Sequence, residues 1–175
     1  MTLPILGIVG YSGSGKTTLL KALLPLLHQQ GIRPALIKHT HHDVDVDTPG
    51  KDSFELRKAG AEQTIVVCDQ RWALMTETPP EREPAASLDF LCRQLDPTRT
   101  DLVLVEGFKH EPIPKIALYR QEVNRPLASL LDAQVIALGS DEPLPVSVPQ
   151  LDLNQPQQFV DFIARWLLQN KHSIS

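Results

Sequence analysis

A three-layer α/β fold, a largely parallel sheet flanked by helices, is predicted by three features of the sequence. Short apolar runs recur as buried parallel strands do, helical periodicities alternate with them, and the chain closes on a strongly amphipathic stretch suited to dock on a sheet. Residues 3–9 form the first run and lead straight into a glycine-rich turn. From Thr17 the leucines at 19, 20, 23, 24 and 27 recur at helical spacing, and Gly31 supplies the stop. Pro25 interrupts that pattern, so a kink is expected over residues 21–24, because proline cannot donate to the helical ladder and crowds the preceding turn. Residues 35–39 read as the second strand. After a polar loop comes a short helix over 53–59 with Gly60 as its terminator.

Residues 63–68 are apolar and β-branched, hence a strand, and 71–76 pair as an edge strand. Residues 85–95 are helical by pattern, 102–105 are a fully apolar strand, and 115–119 and 134–138 supply two more. The last element is the cleanest: Phe159, Phe162, Ile163, Trp166 and Leu167 follow i, i+3, i+4, i+7, i+8. In such a fold the ligand binds beyond the carboxyl ends of the strands.

A chain of 175 residues is expected to fold as one domain over 1–175 around one substantial core. Hydrophobic residues make up 42% and charged residues 22%, which is ordinary soluble usage. The net charge of -4 comes with no dense run of Lys or Arg, which removes the electrostatic reason to expect nucleic acid as a partner. No apolar run reaches the ~18 to 20 residues of a membrane span, and the start lacks the basic residues of a secretory signal. A cytoplasmic protein is the expectation, and its two cysteines, Cys68 and Cys92, are then buried thiols. The 15 prolines cluster at 79–84, 112–114 and 143–149, marking loops.

Gly10-Tyr11-Ser12-Gly13-Ser14-Gly15-Lys16-Thr17 has the Walker A spacing and lies between a predicted strand and a predicted helix. Its glycines let backbone N–H groups turn inward around phosphates, where a side chain would collide with the ligand. Lys16 brings a mobile cation to the β and γ phosphates, and Thr17 offers its hydroxyl to Mg2+. The helix starting there adds a partial positive charge. A P-loop also needs an acidic residue at the end of a neighbouring strand to orient the metal. Glu106, after four apolar residues and before Gly107, fits that place better than Asp101 at the entry end of the same strand.

Other segments are less decisive. Asp47-Thr48-Pro49-Gly50 has the form of a DxxG switch and equally that of a good turn; Lys51 follows it where fast GTPases place a glutamine, so intrinsic hydrolysis is expected to be slow. The Asn-Lys-x-Asp pattern of guanine recognition is absent. Asp141, just past the 134–138 strand, stands where a base edge is read, but Ser140-Asp141-Glu142-Pro143 is also a turn, and guanine against adenine stays open. His39-Thr40-His41-His42-Asp43, with Asp45 and Asp47, reads either as metal ligands or as a polar loop beside the nucleotide. Lys38 adds positive charge near the γ-phosphate or is simply solvated.

Taken together, residues 10–18, Ile37-Lys38-His39-Thr40-His41-His42, the segment from Asp47 to Ser53, Ala59-Gly60-Ala61 and Leu104-Val105-Glu106-Gly107-Phe108-Lys109-His110 resemble the molybdopterin-guanine dinucleotide biosynthesis protein B family. The resemblance spans about residues 3–140. It implies a P-loop NTPase that binds GTP with Mg2+, hydrolyses it weakly, forms a homodimer and acts as an adaptor beside molybdopterin guanylyltransferase. It also implies that residues 13–18 bind phosphates, and that Thr48, Pro49, Gly50, Lys51, Glu106 and Gly107 face the nucleotide. Related dimeric GTPases carry an extra lysine in the phosphate loop; Tyr11 stands in its place here, so a lysine acting across a dimer is not expected. Two other classes remain open: a metal-insertion GTPase using the segment from His39 to Asp43, and a small-molecule kinase using Arg120 and Arg125.

Overall fold

The apolar run at 102–105 folds with Glu106 as a strand in which every residue is buried, and the rest of the sheet is arranged around it. The computed structural model describes residues 3–40, 44–78 and 86–171. In chain order the elements are β1 (Ile5–Gly10), α1 (Lys16–Gln29), β2 (Pro34–Lys38), α2 (Asp52–Lys58), β3 (Gln63–Cys68), β4 (Arg71–Thr76), α3 (Leu88–Cys92), β5 (Leu102–Glu106), β6 (Lys115–Tyr119), β7 (Val135–Ser140), β8 (Gln150–Asp152) and α4 (Pro156–Lys171).

Six strands form one sheet in the order β2-β5-β1-β6-β7-β8, and all five pairings are parallel. The connection leaving β1 runs to one side of it, while β6, β7 and β8 lie on the other. Strand order therefore reverses at β1, and the crevice beyond its carboxyl end is where an open α/β sheet takes its ligand.

On one face, Leu19, Leu20, Leu23 and Leu27 of α1 meet Phe159, Val160, Ile163 and Leu167 of α4 over the β1, β5 and β6 side chains. Full burial of each such side chain stabilises by about 1.5–3 kcal/mol. α4 lies so close that a Cβ on Gly139 would stand 2.7 Å from the Phe159 ring. Pro25 lies inside α1, which continues beyond it to Gln29.

The opposite face is covered differently. Leu88 of α3 packs with Val103 and Val105, while Leu127, Leu130, Leu144, Val146 and Val148 cover Val9, Ala117 and Leu138. The proline-rich stretch at 143–149 thus alternates, apolar residues half-buried on the sheet and Pro143, Pro145 and Pro149 exposed. α3 spans only five residues of the helix expected over 85–95. The Asp96 carboxylate accepts hydrogen bonds from the Thr98 N–H and hydroxyl, a local turn that takes the chain out of the helix.

The chain divides into two compact units, the sheet unit of 1–39 with 88–175 and a smaller one of 40–87. In the smaller unit β3 and β4 pair antiparallel as a separate two-stranded sheet. Arg57 of α2, its side chain 6% exposed, ion-pairs with Asp45 and with Glu77 and lies over the Phe54 ring, tying helix, loop and strand end together. Residues 41–43 and 79–85, which include His41, His42, Asp43 and the whole first proline cluster, lie outside the described residues.

Candidate functional site

β1 delivers the chain to Gly10, which pairs with Leu118 of β6. A Cβ there would stand 2.5 Å from Ser14 Oγ and 2.7 Å from the Leu118 carbonyl oxygen, so close approach alone requires glycine. The loop then turns through Gly13 and Gly15, both at positive φ, and α1 starts with the Leu19 N–H donating to the Gly15 carbonyl at 2.8 Å. Ser12, Gly13, Thr17 and Thr18 are exposed along this turn. Ser14 is buried, and its Oγ has no hydrogen-bond partner among the described residues.

Lys16 folds back over the loop, and its Nζ donates to the carbonyls of Gly10 at 2.8 Å and Tyr11 at 2.9 Å. Burial pulls this ammonium below the ordinary lysine range; Glu106 opposes that pull and Lys38 adds to it. The Tyr11 hydroxyl donates to the Pro126 carbonyl at 2.8 Å, anchoring the outer side of the loop.

Glu106 ends β5 between two neighbours: it pairs in register with Ile8 of β1 and Lys38 of β2. Its carboxylate is 3.5 Å from Lys38 Nζ, an ion pair in which the glutamate side chain is largely buried and the lysine half-exposed. Gly107 follows at φ +104, and a Cβ there would lie 2.5 Å from the His39 carbonyl oxygen, so both conformation and space demand glycine. The His39 N–H donates to the Glu106 carbonyl, and its ring packs against Phe108 at 5.0 Å. Asp101 is used elsewhere: both its oxygens accept from the Arg33 guanidinium, far down the strand from the cradle.

The loop, Lys16, Thr17, Thr18 and Glu106 are therefore brought together at the carboxyl ends of β1 and β5. The set fits a phosphate chain with a hard divalent ion: a glycine turn at positive φ, a mobile cation, an orphaned buried hydroxyl, and hydroxyl and carboxylate oxygens of the kind Mg2+ takes. Thr48, Pro49, Gly50 and Lys51 belong to the smaller unit. There they form a turn, the Lys51 N–H donating to the Thr48 carbonyl at 3.2 Å and Gly50 at φ +83, which leads into α2. Asp45 and Asp47, offered as metal ligands, serve locally: Asp45 pairs with Arg57 and Lys58, and Asp47 accepts from the Thr48 N–H.

Asp141 follows β7 at the same end of the sheet, its Oδ2 3.4 Å from Arg120 Nη1. Arg120 was foreseen only with Arg125 in the small-molecule kinase alternative. In the structure its Nε lies 3.3 Å from the place a Cβ on Gly15 would take, against the phosphate loop itself. The available signal was its place, directly after a strand that neighbours β1.

The sequence model of the family described as molybdopterin guanine dinucleotide synthesis protein B matches residues 5–141. The chain is 56% identical over 166 residues to the molybdopterin-guanine dinucleotide biosynthesis adapter protein of Escherichia coli (strain K12), covering 94% of each. It is 53% identical over 165 residues to the protein of the same name from Haemophilus influenzae, covering 94% of this chain and 90% of that one. Among solved structures it is similar to Bacillus subtilis MobB, with a TM-score of 0.74 at 27% identity over 93% of this chain and 97% of the other. It is also similar to a MobB homolog from Bacillus stearothermophilus, with a TM-score of 0.70 at 29% identity over 94% and 98%. With a parallel α/β sheet, a P-loop after its central first strand and this extent of identity, the chain belongs to the molybdopterin guanine dinucleotide synthesis protein B family.

Proposed function

We propose that this chain is a GTP-binding adaptor in molybdopterin-guanine dinucleotide biosynthesis, with slow Mg2+-dependent GTPase activity, working as a homodimer beside a molybdopterin guanylyltransferase. The observation that carries the nucleotide half is the cradle: Lys16 folded over the Gly10 and Tyr11 carbonyls with the buried Glu106 carboxylate on the adjacent strand. The adaptor half is supported by the names of the relatives in Escherichia coli and Haemophilus influenzae. The parts assigned to Thr48, Pro49, Gly50 and Lys51 at the nucleotide rest on the family resemblance.

Slow hydrolysis follows from an inventory that holds a metal but contains no glutamine to orient water after the Asp47–Gly50 segment. Rates of ~10⁻⁴ s⁻¹, as in unassisted GTPases, set the scale. An adaptor controlled by nucleotide must bind its partner with different affinity in the two states. The test is in two parts. Calorimetry with GTP and Mg2+ should show most of the affinity lost in Lys16→Ala with its circular dichroism unchanged; unchanged affinity in a folded variant overturns the cradle. Sedimentation with the guanylyltransferase should show tighter association with a non-hydrolysable GTP analogue than without it, and equal association removes nucleotide control.

A further inference from the structure

Beyond the phosphate cradle, β7 and β8 end side by side, with Ser140 paired to Asp152. Past those ends Ser140, Asp141, Glu142, Pro143, Gln150 and Asp152 help line a cavity of about 420 Å³. That is within the range of small-molecule sites. All the strands of the six-stranded sheet are parallel, so the cavity opens at the same end of the sheet as the cradle. β7 is two strands from β1, roughly 10 Å at ~4.8 Å per strand, a span that a nucleoside attached to cradled phosphates covers.

Arg120 joins the two places. Its guanidinium lies against Gly15 of the loop on one side and reaches Asp141 on the other, through a single contact of 3.4 Å. Among the acids of the cavity wall Asp141 is distinct. Asp152 has both oxygens partnered, Oδ1 accepting from the Asn154 N–H and Oδ2 from the Gln155 amide. The Glu142 carboxylate takes the Gln121 amide NH2 group. Asp141 keeps one oxygen, Oδ1, buried without a hydrogen-bond partner among the described residues. A buried acceptor of this kind is unfavourable until a donor reaches it, and a ligand is one way to supply the donor.

We propose that this cavity is the base subsite of the nucleotide site and that Asp141 is its specificity-determining residue. The proposal rests on the nucleotide reading above and deepens it. A carboxylate only accepts, so it selects a base edge with two adjacent donors. Guanine offers N1–H and the 2-amino group, which two carboxylate oxygens meet as a pair of charge-assisted bonds. Turning Asp141 toward the cavity exchanges its long contact with Arg120 for that pair. Adenine presents the N1 lone pair to the same oxygens and is rejected, because a site built to accept hydrogen bonds is left unpaired by a base that does not donate them.

The experiment is calorimetric titration of the full chain with GTP, ITP, XTP and ATP in Mg2+. Wild type should bind GTP roughly tenfold or more tightly than ATP or XTP, with ITP, which lacks the 2-amino donor, weaker than GTP. Asp141→Asn should weaken GTP about tenfold or more and strengthen XTP, since the asparagine carbonyl accepts from N1–H while its NH2 donates to the xanthine 2-oxygen. Asp141→Ala should weaken GTP without any gain for XTP. Wild-type indifference between GTP and ITP, or a folded Asp141→Asn that keeps GTP over XTP, overturns the base subsite. In either case the cradle still stands if binding remains sensitive to Lys16→Ala. Binding of none of the four nucleotides overturns both.

Discussion

Glu106 stands where two demands on one side chain meet. Its charge opposes the dominant effect of burial on the Lys16 ammonium, which still falls below the ordinary lysine range, and its carboxylate is 3.5 Å from Lys38. As a metal-orienting group it has to share itself with an ion. Glu106→Gln keeps the shape and removes the charge, so GTP affinity measured without metal should change little, while the gain in affinity on adding Mg2+ should shrink about tenfold. A magnesium dependence equal to wild type would take Glu106 out of the metal site. Next to it, Gly107→Ala places a methyl 2.5 Å from the His39 carbonyl at φ +104. The loss, read as a shift in urea midpoint, should be about 2 kcal/mol or more. At this scale placement was legible where a motif has fixed spacing: the glycine turn with Lys16 folded over it, and Glu106 at the carboxyl end of its strand with Asp101 at the other, which the strand's direction alone decides. Arg120 was not legible in this role, because its meaning comes from packing against Gly15, more than a hundred residues away in the chain.

Elements were legible to the extent that burial imposed a period. The five strands that lie beneath helices or packed loops carry unbroken apolar runs, and α4 its i, i+3, i+4 stripe. β8 was missed because three residues, Gln150, Leu151 and Asp152, with one buried leucine, make no pattern. β3 and β4 were anticipated as strands, β4 at an edge, but neither their pairing with each other nor their separation from the main sheet was, since Thr64-Ile65-Val66-Val67 reads in sequence like a strand buried on both faces. The smaller unit is held by Arg57, whose hydrogen bond to Asp45, aided by the Asp47 N–H, brings that carboxyl down to about 2. The folded value is depressed from an ordinary ~3.9, so the contribution is fully present above about pH 4 and is lost as pH falls toward 2. Amide exchange across β3 and β4 should therefore accelerate between about pH 4 and 2 beyond the intrinsic pH trend, and Arg57→Met should already show fast exchange at neutral pH. Exchange in that hairpin independent of both changes would mean that the Arg57 ion pairs do not hold it.

For the whole molecule, the question is why a protein with a well-buried sheet leaves so much apolar surface on its hairpin. Residues directly opposite in an antiparallel pair share a face, so Ile65 with Leu74 and Val67 with Trp72 form one stripe. All four are exposed, Val67 at 73% and Trp72 at 63%. An isolated two-stranded hairpin is marginal in water, and a contiguous apolar stripe of this kind marks an interaction surface. In the proposed homodimer a second copy is the expected occupant: a two-fold contact would place the same stripe on both sides, apolar against apolar. Breaking that stripe should separate assembly from nucleotide binding, because the cradle belongs to the other unit of the chain. Val67→Lys combined with Trp72→Lys should sediment as a monomer at concentrations where the wild type is a dimer, with GTP affinity within about twofold of wild type. A double variant that remains dimeric moves the interface off the hairpin. One that becomes monomeric and loses GTP as well shows that the nucleotide site needs the second copy, so that dimerisation and binding are one event rather than two.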